Sequence, residues 1–142
     1  MMADGSGTNN KAKASYQSDS YMFTMDNATA SSHTLGMKDS GKTYFLESTV
    51  ARTITLPAVK AGLKFKFIVT NSDAASTITT SEGTALVKGN VVADNDTDSL
   101  DGTTITVGTS ADIGDNLTLV CDGTYWYASG HTAHASAGFT VA

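Results

Sequence analysis

From Thr43 onward, apolar and β-branched residues gather into short runs separated by turn residues at intervals of roughly 8–12 positions. That spacing predicts a sandwich or barrel rather than βαβ units. Candidate strands fall at 43–49, 52–56, 63–70, 76–80, 85–92, 103–107, 116–121 and 124–129. Pro57 closes the second of them, because it lacks the N–H that a ladder requires. In Leu63-Lys64-Phe65-Lys66-Phe67-Ile68-Val69 the residues Leu63, Phe65, Phe67 and Val69 share one face, and Lys64 and Lys66 point the other way. This is the pattern of a half-buried strand with a basic outer side. The fold class predicted is all-β: an antiparallel β-sandwich or barrel of about eight short strands.

The strongest local signal is Asn116-Leu117-Thr118-Leu119-Val120-Cys121, then Asp122-Gly123, then Thr124-Tyr125-Trp126-Tyr127-Ala128. Asp-Gly between two β-rich runs predicts a two-residue type I′ turn, which sets Leu119 opposite Trp126 and Val120 opposite Tyr125. Leu117, Leu119, Cys121, Trp126 and Ala128 then line one side, and Thr118, Val120, Tyr125 and Tyr127 the other. Both sides are largely apolar or aromatic, which points to a neighbouring subunit or partner over the second. Phe65, Phe67, Leu117, Leu119 and Trp126 are the expected core.

Residues 1–42 show no sustained period of either 2 or 3.6 and carry four Lys against four Asp; they read as an extended N-terminal arm. The island Tyr21-Met22-Phe23-Thr24-Met25 interrupts it, with Tyr21, Phe23 and Met25 on one face of an extended chain. It is either a first strand of the domain or an arm that docks on a partner by strand addition. Residues 43–130 form the body. Residues 131–142 read as a tail, pinned at Phe139 and Val141.

The chain has 142 residues and 14.7 kDa, which bounds it to a single domain with tails. Its 22 Thr, 15 Ser and 13 Gly, with only 16% charged residues, suit short strands and tight turns. A formal charge of −5 and a pI near 4.9 argue against a general grip on nucleic acid phosphates. The single Cys121 excludes an internal disulfide and a Cys-rich zinc site. No run of about 18 apolar residues occurs, and the start of the chain has neither the basic nor the apolar stretch of a signal peptide. A protein made in the cytoplasm, off the membrane, is the expectation.

Gly36-Met37-Lys38-Asp39-Ser40-Gly41-Lys42-Thr43 satisfies G-x-x-x-x-G-K-[ST], the phosphate loop of nucleotide hydrolases. That chemistry needs a buried parallel strand before the loop and a helix after it. The polar stretch Asn27 to Thr34 and the β-rich Thr53 to Pro57 supply neither, so the match reads as loop letters. Asp94, Asp96 and Asp98 alternate like the first ligands of a calcium loop, but Ser99 stands where the sharp turn needs Gly and Ile105 where a bidentate Glu belongs. An acidic solvated turn is the expectation there. His131 and His134 lack a third ligand type nearby. Asn27, Asn95 and Asn116 head Asn-x-Thr triplets, which without a signal peptide meet no glycosylation machinery. With two Glu in total and no G-x-S-x-G or H-E-x-x-H, no catalytic constellation, metal or cofactor is expected.

Charge is segregated. Arg52, Lys60, Lys64 and Lys66 lie together without an acid, whereas Asp73 to Asp122 hold nine acids and only Lys88. Lys60, Lys64, Lys66, Tyr125 and Tyr127 are therefore the candidate partner or subunit interface, facing an acidic surface of another copy or of a carboxylate-rich lattice.

The Ile54-Thr55-Leu56-Pro57 strand end, followed by Gly62-Leu63-Lys64-Phe65-Lys66-Phe67 and the late Leu117 to Tyr127 hairpin, resembles small β-structured virion proteins of tailed bacteriophages. The likeness covers residues 43–129. It implies a head decoration (cement) protein, a trimer on the outer capsid surface that bridges neighbouring major capsid subunits, with Tyr21, Phe23 and Met25 reaching across their boundary. The same group includes tail-fibre pieces, which implies the alternative of a receptor-binding module with Tyr125, Trp126 and Tyr127 stacking on sugars. Neither role brings catalytic residues with it.

Overall fold

The computed structural model describes residues 22–25, 32–84, 86–93, 96–134 and 138–142. Twelve strands form among them: β1 (Met22–Met25), β2 (Ser32–Thr34), β3 (Thr43–Glu47), β4 (Arg52–Thr55), β5 (Lys64–Asn71), β6 (Ser76–Thr79), β7 (Val87–Ala93), β8 (Asp96–Gly102), β9 (Thr104–Val107), β10 (Asn116–Cys121), β11 (Trp126–Thr132) and β12 (Phe139–Val141). The one helical element among the described residues is a 3₁₀ turn at Met37–Asp39. No helix there is long and apolar enough to cross a membrane.

The strands build a seven-stranded sheet in the order β1-β3-β5-β10-β11-β7-β8 and a five-stranded sheet in the order β12-β9-β6-β4-β2. All eight predicted strands are present, as β3 to β7 and β9 to β11, and the all-β class stands. The sheets are mixed, however, not antiparallel as expected. β1/β3, β3/β5, β7/β11, β2/β4 and β4/β6 run parallel. The cause is the winding. From β2 to β6 the chain alternates between the two sheets, so each strand in a sheet is followed there by one that has reversed twice and runs the same way. Run spacing cannot distinguish such arches from hairpins, because both need a turn every 8–12 residues or so.

Between the sheets lies one core. Ile54, Ile78, Ile105 and Phe139 from the smaller sheet meet Tyr44, Phe65, Phe67, Leu117, Leu119 and Trp126 from the larger. All five expected core residues are at most 1% exposed. Phe65 packs on Trp126 at a centroid distance of 5.7 Å, and Tyr44 stacks on Phe67 at 5.6 Å.

The late hairpin forms, but two residues out of the predicted register. Cys121 pairs with Trp126, Val120 with Tyr127 and Leu119 with Ala128. The Asp122 carboxylate accepts the N–H groups of Thr124 (2.7 Å) and Tyr125 (2.8 Å), which moves the tip to Gly123-Thr124. Gly123, at φ 103°, takes the first central position, where a positive φ is required. A slip of two preserves side-chain parity, so both predicted faces survive it.

The sandwich also takes in more of both ends than the expected 43–130 body. β2 lies in the smaller sheet beside β4, and β1 lies in the larger sheet beside β3, with Phe23 at the level of Tyr44 and Met25 at that of Leu46. Tyr21 lies outside the described residues. At the other end, residues 131–132 complete β11, while β12 pairs with β9 and buries Phe139. The expected acidic turn at Asp94–Asp98 is corrected for its second half: Asp96 and Asp98 belong to β8, an edge strand paired among the described residues with β7 alone, and Asp94 lies outside the described residues. Asp101, exposed on the same strand, is tolerated because an edge strand presents one side to water, where charge also discourages unwanted pairing.

Candidate functional site

The outer face of the larger sheet assembles most of the predicted interface residues. β5, β10, β11, β7 and β8 lie side by side, and their registers set Lys64, Val120, Tyr127, Lys88 and Asp101 at successive cross-strand positions in one row. Because neighbours within each strand turn inward to the core, this row must face outward. Val120 is 41% exposed, Tyr127 47% and Tyr125, at the hairpin tip, 37%. Lys66 stands one row further along β5, opposite Thr118. Lys60 is exposed in the loop before β5, whose Ala61 lies against the hairpin tip at Gly123.

The row is polarised. Lys88 Nζ bonds Asp101 Oδ1 at 2.6 Å and lies 5.6 Å from the centroid of the Tyr125 ring, which stands edge-on to Tyr127 at 6.4 Å. Asp122 is held below the ordinary carboxylate range, first by the N–H groups of Tyr125 and Thr124, and Tyr127 is raised, first by the nearby Asp122 carboxylate. Lys60, Lys64 and Lys66 have no carboxylate within salt-bridge reach among the described residues. One end of the row is thus a lysine cluster without a carboxylate partner among the described residues, and the other is the Lys88–Asp101 pair. The Lys88–Asp101 pair escaped the sequence reading because it appears only once β8 is a strand paired with β7 in that register.

Trp126 is fully buried on the opposite face, so it cannot join Tyr125 and Tyr127 in a sugar platform. Only the two tyrosines remain for that role.

The Gly36–Thr43 loop follows a three-residue edge strand, and at Thr43 it passes into β3 and not into a helix. Asp39 accepts the Gly36 N–H at 2.9 Å and Lys42 Nζ at 2.7 Å, so the lysine a phosphate loop would aim at its ligand is tied to the loop's own carboxylate. Partial burial works to raise the Asp39 pKa, but these bonds and the Lys42 and Lys38 charges outweigh it and the net shift is downward. A cavity of about 240 Å³ beside the loop is lined by His33, Thr34, Lys38, Asp39, Lys42 and Tyr44. Burial, with the Asp39 charge second, pushes the Tyr44 hydroxyl well above its usual range.

His131 is exposed on β11, and His134 Nε2 lies 3.4 Å from Asp112 Oδ2. Among the described residues no three His, Cys, Asp or Glu converge as metal ligands. Asn116 spends its side-chain amide on the Gly114 carbonyl at 3.3 Å. Buried Asp115, which the sequence reading passed over, accepts Thr132 Oγ1 (2.7 Å) and the N–H groups of Ala133 (2.9 Å) and Asp112 (3.0 Å). It locks the start of β10 to the end of β11. Compared with models of known protein families, with curated proteins and with solved structures, the chain matches none.

Proposed function

We propose that this chain is a viral structural protein, a capsid decoration subunit that binds the outer surface of a phage head and bridges neighbouring major capsid subunits. The observation that carries the reading is the outer face of the larger sheet, where Val120, Tyr125 and Tyr127 are exposed beside Lys60, Lys64 and Lys66. Exposed aromatic and aliphatic side chains grouped on one face characterise a protein contact surface more than a solvated one. Decoration would stabilise a head by adding buried area at subunit junctions, where a standard interface buries about 1,600 Å². The resemblance in the β body agrees with this role.

Immunogold labelling of intact particles with an antibody against this chain tests the reading. Gold over heads is the expected result, and particles without label overturn it. Label confined to tails would favour the second reading, a receptor-binding module of a tail fibre, for which the exposed Tyr125 and Tyr127 rings are the specific support. A glycan array without hits would count against that alternative.

A further inference from the structure

We infer that the outer face of the seven-stranded sheet is a two-fold interface between two copies of this chain. The row runs Lys64, Val120, Tyr127, Lys88, Asp101, one residue from each of five adjacent strands. A two-fold axis laid along β11 turns this row onto itself in reverse. Lys64 of one copy then meets Asp101 of the other, twice over, Val120 meets the aliphatic stem of Lys88, and Tyr127 meets its own counterpart on the axis. Such an isologous contact requires a surface complementary to its own rotated image, and this row has Lys64 at one end, the Lys88–Asp101 pair at the other, and Val120 and Tyr127 between them.

The charges also have room for a partner from outside. Lys64 and Asp101 are four strand spacings apart, about 19 Å at the usual spacing, which exceeds the roughly 8 Å screening length at physiological salt. Neither serves the other within one chain. The Asp101 side chain is 62% exposed even with Lys88 bound to it, so it has room for a second cation. The next row agrees: Lys66 on β5 falls over Ser99 on β8, and Thr118 over Asn90, with no like charges opposed. Five strands by about seven residues span a plane of roughly 500 Å², of the order of the 800 Å² or so of accessible surface that each partner buries in a standard interface.

This inference rests on reading the face as a contact surface and not on the virion assignment. It replaces the three-fold association implied by the resemblance with a two-fold one. In such a pair this face is spent on the second copy, so a capsid contact would fall on the rim, where the exposed Lys60 lies.

The test is sedimentation velocity on the full chain at physiological and at high salt, with circular dichroism to confirm that each variant folds. A dimer that weakens with salt is expected. Lys64→Glu alone and Asp101→Lys alone each place like charges in contact and should weaken dimerisation on the order of tenfold or more. An equimolar mixture of the two restores opposite charges and should form a one-to-one heterodimer. A wild-type monomer at high concentration, a trimer or dimer indifferent to both reversals, or a mixture that fails to pair would each overturn the inference. A monomer that still labels heads would overturn it while leaving the decoration reading intact.

Discussion

Trp126 is fully buried, yet its indole N–H meets no acceptor among the described residues. A buried donor left unmet costs about 1–3 kcal/mol. Removing it should therefore offset part of the cavity made by a smaller ring. Trp126→Phe is expected to destabilise by less than half as much as Trp126→Ala, for which about 3–5 kcal/mol is the usual range for a buried aromatic; urea unfolding of both variants measures the difference. Asp122 acts by charge instead. Its pKa is lower in the folded chain than in the unfolded one, so its contribution is complete above the ordinary value of 3.8 and disappears as pH falls through the folded value below it. Asp122→Asn keeps an acceptor for the tip amides but cannot titrate. Thermal melts in acid should show the wild type losing stability more steeply than this variant below pH 3.8, and parallel curves would refute the assignment.

The β7/β11 ladder depends on a single missing side chain. Gly89 has φ +139°, and a Cβ on it would run into the backbone carbonyl of Ala128 on the neighbouring strand. Gly89→Ala should cost more than about 2 kcal/mol, from left-handed strain and displaced backbone together, and a loss of melting temperature checks it. Strands of this kind were legible where inward and outward residues alternate cleanly, as in Lys64 to Val69, where the burial pattern follows the alternation residue by residue. The hairpin faces were legible even though its register was not, because parity survives a slip of two and the deciding contacts come from one carboxylate oxygen at the tip. β8 was not legible at all. Asp96-Thr97-Asp98-Ser99-Leu100-Asp101 has the composition of a turn, and only pairing with β7 at an edge makes it a strand. The row across five strands inherits that blindness, since its acidic end lies on β8. The direction of the ladders was hidden too: a turn between two runs does not reveal whether the second run returns to the same sheet.

At the scale of the whole molecule, β12 ties the smaller sheet to the core. β12 lies against β9, Phe139 is 1% exposed, and the Ala142 carbonyl accepts the N–H groups of Thr103 (2.7 Å) and Thr104 (3.0 Å). Phe139→Ala should cost about 3–5 kcal/mol. Against a typical total of about 5–15 kcal/mol this leaves a marginal fold, so hydrogen exchange should speed up across the whole core and not only in β12. Exchange confined to β9 and β12 would mean that the two ends of the smaller sheet are held independently.

The winding that makes the sheets mixed also dictates an order of events. β10 and β11 are joined by a four-residue connection and can zip together locally, whereas β3 can find β5 only after β4 has been looped out between them. Loop closure must precede reward in the second case, and chains rich in such distant pairings fold in milliseconds to seconds, not microseconds. The central strand β10, on which β5 must dock, is also synthesised after β1 to β9. On the ribosome, the first half of the larger sheet therefore waits, unpaired at its growing edge, for the hairpin that will anchor it.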